Sequence, residues 1–462
     1  MLRTHRYVVF AIFGVSATVL FSGCIIGGRA LFHAASGNQC TWETRGYAFH
    51  SKMNTNGIWD DVASSVENVF VMMKGDSAPT AITSVRRSNL ASISPDGTEI
   101  VFESYLNLDG NPASAANPTF NIWIANIDGT NLRPLTQDSV ASYTSMYPTW
   151  SPDGEHIIYS STSDLNLLWA DGVNSTSVHP WNIWVMDRDG SNRRALTQNT
   201  PLQSGAHSWT PSGGKFADNE SVLFMSYMPM AGESAWDQAP LPISNIWIVN
   251  LDGSSLKALT RNTSGASGSF PFFGYGEGAS VYFSHKMNLS TTDSSWDAGA
   301  AQGRNLWRVK RDGSDLEALT LYTTTGVSVY GGGVGRDQRT LVLSTNGALD
   351  GSWGGAEAVM NIWTLDMNAG VRIPLTENTS LTSTNAVLAP DGETIVMNSM
   401  TDPALFSNGV STGWDGTSTQ SYNLWTLNID GSGFEQITHV TTSGKDVVTA
   451  GGGIWQVAIC DP

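Results

Sequence analysis

One phrase occurs seven times in this 462-residue chain: an Asn, any residue, a Trp or Phe, a Gly-containing turn, and a Thr. The copies are Asn68-Phe70-Thr83, Asn121-Trp123-Thr136, Asn182-Trp184-Thr197, Asn245-Trp247-Thr260, Asn305-Trp307-Thr320, Asn361-Trp363-Thr376 and Asn423-Trp425-Thr438. The Asn-to-Thr separation is fifteen residues in every copy, and a length held through seven copies marks one rigid unit. Asp-Gly after an apolar run, as in Ile122-Trp123-Ile124 ahead of Asp128-Gly129, supplies the positive φ angles of a hairpin turn. A second hairpin lies upstream, centred on Ser94-Pro95-Asp96-Gly97, Ser151-Pro152-Asp153-Gly154 and Ala389-Pro390-Asp391-Gly392, where Pro presets φ and Gly accepts the left-handed conformation. Weaker versions fall at Pro211-Ser212-Gly213, Gly274 to Gly278 and Gly335 to Gln338. Each repeat is therefore four antiparallel strands, A to D.

A four-stranded sheet with two apolar faces cannot bury them alone, whereas sheets stacked radially can. The expected fold is all-β, a β-propeller of seven four-stranded blades, with six or eight if the terminal pieces pack otherwise. Val447 to Ile459 matches an A–B segment with no C–D hairpin after it. Paired with the first repeat, where Thr41-Trp42 and Gly46 to Ser51 read as a shortened A–B, it closes the ring. The Pro-Asp-Gly and Asn-Ile-Trp…Asp-Gly…Leu-Thr phrases at 151–197 resemble the TolB-type propeller repeats, and the resemblance covers residues 41–459. TolB carries an α/β domain ahead of its propeller. Here sixteen residues separate Cys24 from Thr41, so the chain resembles the repeat family and not TolB itself.

The first residues read as an address. Arg3, His5 and Arg6 precede an uncharged run from Tyr7 to Leu20, then Phe21-Ser22-Gly23-Cys24. This resembles the lipobox of bacterial lipoproteins, although Phe21 stands where that pattern has Leu. The resemblance implies a signal peptide over 1–23, lipid on Cys24, a tether over 24–40 and a single propeller domain over 41–460. It places the protein outside the cytoplasm, lipid-anchored to the cell envelope at the outer membrane, facing the periplasm or the surface. An uncleaved anchor over Tyr7 to Ile26, or simple secretion, would export it equally. In an oxidising compartment the remaining pair, Cys40 and Cys460, is expected to form a disulfide at the seam of the ring.

With 24 Lys and Arg against 41 Asp and Glu, the chain carries a net charge of −17 and no basic cluster. That excludes nucleic acid as a partner and adsorption to an anionic membrane through a basic patch. The expected partner is an envelope protein or glycan, met by a monomer.

Alternation puts the A–B and C–D turns on one face and the B–C and D–A connections on the other. The B–C connections 104–120, 161–181, 226–244 and 401–422 are long, and long loops on a rigid scaffold carry binding function. They hold a recurring pair of an aromatic and a carboxylate: Trp59 and Asp60, Trp169 and Asp171, Trp236 and Asp237, Trp296 and Asp297, Trp414 and Asp415, with Trp353 alone. Such a rim suits stacking on sugars or gripping a peptide; the alternative is that these Trp cover the grooves between blades.

Catalytic signatures are sparse. The sequence contains no His-Glu-x-x-His or Cys-x-x-Cys. No hydrolase domain is expected beside the propeller, so a peptidase of the prolyl-oligopeptidase type is not expected. The Asp-Gly segments lack the alternating ligands of a calcium loop and are explained as turns, so no cofactor is expected, calcium being the ion weighed. His50 and His285 stand in matching contexts, His50-Ser51-Lys52-Met53-Asn54 and His285-Lys286-Met287-Asn288, and with His207 are the candidate metal ligands. The oligogalacturonate lyases, seven-bladed relatives of this repeat, use His-rich metal sites. These readings give a non-catalytic binding scaffold, with a metal-dependent lyase or other glycan-active enzyme as the alternative.

Overall fold

The computed structural model describes residues 25–26, 29–30, 40–53, 55, 66–84, 86–109, 119–139, 143–163, 181–198, 208–209, 215–216, 220–227, 245–261, 269–273, 280–286, 303–348, 356–401, 406–407, 410–411, 421–441, 447 and 454–460. Seven antiparallel sheets follow one another in a ring. In chain order, strands A to D of blade 2 are Ser88–Ile93, Glu99–Ser104, Asn121–Asn126 and Arg133–Pro134. Those of blade 3 are Ser145–Trp150, His156–Ser161, Asn182–Asp187 and Arg194–Ala195. In blade 4, Ser208–Trp209 and Lys215–Phe216 both pair with strand B, Ser221–Ser226, which is followed by Asn245–Asn250 and Lys257–Ala258. Blade 5 is Ser269–Phe273, Ser280–His285, Asn305–Lys310 and Glu317–Ala318; blade 6 is Val329–Val334, Thr340–Gly347, Ala356–Asp366 and Arg372–Pro374. Blade 7 is Ser383–Leu388, Thr394–Ser399, Asn423–Asn428 and Glu435–Gln436. Among the described residues every regular element is a strand.

Blade 1 closes the ring. Its strands B, C and D are Cys40–Ser51, Asn68–Met73 and Thr80–Ala81, and its strand A is Ile454–Cys460 from the far end of the sequence. The expected closure is present, with one correction. Residues 41–51 are not a shortened A–B hairpin but a single strand B whose pairing with strand A shifts between Thr44 and Gly46. Where a shortened A–B needs a turn, between Trp42 and Gly46, the strand carries a bulge, in which an extra residue bends it without reversing it.

The repeated phrase is explained by packing. On strand C the Trp is fully buried in six blades, and it faces a large residue of strand B: Phe102, Tyr159, Phe224, Phe283, Leu343 and Met397 in blades 2 to 7. In blade 1 the pair is Phe49 with Phe70, their rings stacked 5.6 Å apart. Burying such an aromatic removes about 150–250 Å² from water, roughly 4–6 kcal/mol before conformational entropy is charged. The apolar clusters bridge neighbouring blades: Ile122 with Trp150 and Trp184, for example, or Ile362 with Met397 and Trp425. The cluster joining Phe49 and Phe70 of blade 1 to Val396 and Leu424 of blade 7 seals the seam.

The fixed fifteen-residue spacing has its own cause. In blade 2, Thr136 Oγ1 donates to Asn121 Oδ1 at 2.9 Å and accepts from the Ile122 amide at 2.9 Å. The Asn121 side chain also donates to the Asp138 carbonyl and accepts from its amide. The start of strand C is thereby bolted to the exit from strand D, and the hydroxyl-to-Asn bond recurs in all seven copies. Buried polar groups must be paired, and a residue more or less between Asn and Thr would unpair three of them. Gly129 takes φ +83° in the turn between, as the Asp-Gly pattern requires.

Candidate functional site

One residue at or near the end of each strand B lies opposite the strand C Asn. It is Ser51, Ser104, Ser161, Ser226, His285, Thr345 and Ser399 in blades 1 to 7, all buried. Several of these hydroxyls join strand B to strand A: Ser104 Oγ is 2.7 Å from Ser88 Oγ, Ser161 Oγ accepts from Ser145 at 2.9 Å, and Ser399 Oγ is 2.8 Å from Ser383 Oγ. In blade 3 the pair gathers on a buried carboxylate, Asp138, which accepts from Ser145 at 2.7 Å and from Ser163 at 2.9 Å. Asn378 holds the equivalent place in blade 7, donating to Ser383 at 2.9 Å and accepting from Thr401 at 3.2 Å. Burial pushes the Asp138 carboxyl up, against the two hydroxyl donors. Because an Asn serves in the equivalent place, Asp138 is a structural acceptor.

The two described His candidates do not match in register. His285 faces Asn305, whereas His50 faces Val69, one residue earlier on its strand, so the two side chains leave opposite faces of their sheets. The likeness of their flanking sequences hides that offset of one. Both are buried; burial lowers His50 to about 4 and His285 to about 3, and each is held neutral. They sit in blades 1 and 5 of the seven. His207 lies outside the described residues, among which no three His, Cys, Asp or Glu side chains gather to hold a metal.

Sequence reading missed Glu103. It occupies the strand B position that His50 fills in blade 1, and is 1% exposed. Its Oε2 accepts from the Tyr147 amide of blade 3 at 2.9 Å, while Oε1 is buried without a partner among the described residues. Tyr147 takes φ +62°, the left-handed region, in the bulged strand A, and the carboxyl from the neighbouring blade satisfies the amide this exposes. Burial pushes Glu103 up to about 8, against the Tyr147 amide and Arg87. A protonated, sealed carboxyl of this kind clips two blades together and meets no solvent. The signal was in the sequence: aligned blade by blade, strands B place His50, Ser160, Met225, Ser284, Ser344 and Asn398 where blade 2 carries the acid Glu103.

On the turn face, a cleft of about 500 Å³ opens between blades 2 and 3, lined by Glu99, Arg133, Glu155, His156, Asp187, Arg188 and Asp189. Arg188 is spent internally: its guanidinium reaches Glu99 at 2.6 Å and Asp96 at 2.7 Å and lies 5.3 Å over the Trp150 ring. Although burial opposes it, hydrogen bonds from Arg188, Ser94 and Thr98 hold the Asp96 carboxyl well below the usual carboxylate range. Arg133 donates to the Asp189 carbonyl at 3.1 Å, and Arg194 and Lys257 likewise donate to the following blades at Leu251 and Asp312. The cations here are clasps between blades, and the remaining surface of the cleft is acidic.

The candidate rim residues Trp59, Asp60, Trp169, Asp171, Trp236, Asp237, Trp296, Asp297, Trp353, Trp414 and Asp415 lie outside the described residues. The strands fix where their loops start and end. Each leaves from the end of strand B and returns at the start of strand C, on the face opposite the cleft.

No protein-family model matches the chain, and no curated protein matches it in sequence. Solved structures do. A prolyl endopeptidase is similar with a TM-score of 0.54 at 8% identity, over 87% of this chain and 49% of that one, so the chain spans about half its length. An oligogalacturonate lyase in complex with manganese is similar at a TM-score of 0.47 and 12% identity, over 86% of each chain. A TolB-type propeller, the putative TolB from Agrobacterium tumefaciens, is similar at 0.38 and 14%, over 76% of this chain and 96% of that one. At these identities the likeness is one of fold. The protein is a seven-bladed β-propeller, and its function has to be argued from its own residues.

Proposed function

We propose that this protein is an exported, lipid-anchored propeller that acts as a non-catalytic binding scaffold for an envelope protein or glycan, through the rim where the B–C loops emerge. One observation carries the reading: the residues that recur are consumed by the fold. The strand C Trp side chains are buried, the Asn–Thr bolts are closed, and the strand B hydroxyls are tied to strand A or to their own turns. A repeat spent on packing leaves recognition to what differs between blades, and that is the long connections with their Trp and Asp. Export, acylation of Cys24 and a Cys40–Cys460 disulfide belong to the same proposal.

The test compares wild type with Trp236→Ala/Trp414→Ala. Both are offered a detergent extract of cell envelope and soluble glycan fragments. Retention by wild type that is lost in the variant, with an unchanged thermal midpoint, supports the rim as the binding surface. Loss of folded protein assigns these Trp to packing instead. Turnover of a glycan by wild type would replace the scaffold reading with the enzymatic one.

A further inference from the structure

Strand direction determines how the ring meets its anchor. Strand B of blade 1 begins at Cys40 and ends at Ser51, opposite Asn68, so the chain enters the blade on the face of the A–B and C–D turns. In blade 2 that level is closed by the Ser94-to-Gly97 turn, and the Thr98 carbonyl accepts from the Ile127 amide at 3.0 Å. In blade 1 the Arg45 carbonyl accepts from the Lys74 amide at 2.8 Å in the same way, which sets Arg45 at the same height. Beyond it the strand does not turn. It continues outward with the closing strand as its partner: Thr44 opposite Gln456, Thr41 opposite Ile459, Cys40 opposite Cys460. A two-stranded ribbon therefore stands out from the turn face, and five residues at ~3.3 Å each raise it about 16 Å. Exposed Arg45, ion-paired with Glu43 at 2.7 Å, marks where it leaves the ring.

We propose that this ribbon is the stalk on which the ring stands above the membrane. The turn face looks toward the lipid, and the rim of B–C loops points away from it, open to partners in the surrounding compartment. The inference rests on acylation of Cys24 and adds to it an orientation. Fifteen residues lie between Cys24 and Cys40. They reach at most about 50 Å when fully extended and roughly 21 Å as a flexible chain. The hairpin of Ile25–Ile26 with Arg29–Ala30 shortens that reach. To bring the opposite rim to the membrane, the tether would run back down the ribbon (~16 Å), out across strands at ~4.8 Å spacing (~14 Å) and along one strand height (~20 Å). That sum of about 50 Å uses its whole contour, whereas the upright arrangement needs no extension. Charge does not oppose it. Asp128, Asp189, Asp252, Asp312 and Asp430 are exposed on the turn face. A stalk of about 16 Å holds them two Debye lengths from a headgroup surface at physiological salt, where the length is about 8 Å.

The test uses full-length mature protein in vesicles that carry an acceptor dye on the headgroups. A donor is placed through an azide-bearing residue at Ala369, in the C–D turn of blade 6, or at Lys286, exposed just past strand B of blade 5. Intact mass reports acylation independently. Transfer from the Ala369 donor about twofold or more above that from Lys286, as one strand height of ~20 Å implies, supports the stalk. Equal transfer, or more from Lys286, in acylated protein overturns the orientation and leaves the anchor standing. Protein without acyl groups that fails to float with vesicles overturns both.

Discussion

The Asn–Thr bolts and the buried ionisable groups behave as structural parts at the scale of single residues, and both make measurable predictions. Thr320→Val removes the hydroxyl that donates to Asn305 and accepts from the Leu306 amide. It should cost about 1–3 kcal/mol, read as a lower urea midpoint, because a buried amide loses its partner. Glu103 is raised to about 8 from 4.5, so its folded state favours the protonated form. Its contribution is whole below about pH 4.5 and is lost as pH rises through about 8. Glu103→Gln, which keeps the acceptor for the Tyr147 amide, should therefore gain relative to wild type between pH 5 and 9, by up to several kcal/mol at the alkaline end. His50 and His285 run the other way. Lowered to about 4 and about 3, they contribute stability that is present above about 6.5 and lost on acidification. His285→Ser, which installs the hydroxyl found at this place in other blades, should flatten the acid limb of the urea midpoint. The bolts were legible in sequence as a constant spacing. Glu103 was not singled out, because one acidic residue in an apolar strand shows its oddity only when blades are aligned register by register.

The blades were readable as elements because turn chemistry and the hydrophobic run agree in nearly every copy. A bulge and a turn look alike in the first repeat: the segment between Trp42 and Gly46 lacks the Pro-Asp-Gly signal of other A–B turns and lies inside one strand. Bulges matter here because they set how closely blades approach. Gly332, in the bulged strand A of blade 6, would place a Cβ 2.5 Å from the Ala386 carbonyl oxygen of blade 7. Gly332→Ala must push the strands A of blades 6 and 7 apart, and a loss of about 1–3 kcal/mol in thermal unfolding is expected. The candidate rim was legible as a pattern of Trp and Asp, while its geometry depends on long connections whose course no turn or periodicity dictates.

At the scale of the whole molecule the ring depends on its seam, since the sheet of blade 1 is incomplete until the last strand joins the first. Deleting Ile454–Cys460 leaves strand B of blade 1 as an open edge and should unfold the propeller cooperatively or drive its association, seen as loss of the monomer peak on size-exclusion chromatography. A bridge between Cys40 and Cys460 would close a loop of nearly the whole propeller and stabilise it by about 6 kcal/mol at most on the chain-entropy model. Placed opposite each other in the register, the two residues sit at the tip of the ribbon that leads to Cys24, so the proposed anchor, the proposed stalk and the ring closure share one strand pair. Intact mass of the protein recovered from membranes, before and after reduction, tests this arrangement most directly. The prediction is a chain beginning at an acylated Cys24 that gains one hydrogen on each of Cys40 and Cys460 when reduced. A chain that retains residues 1–23, or one whose Cys40 and Cys460 alkylate without reductant, would contradict it.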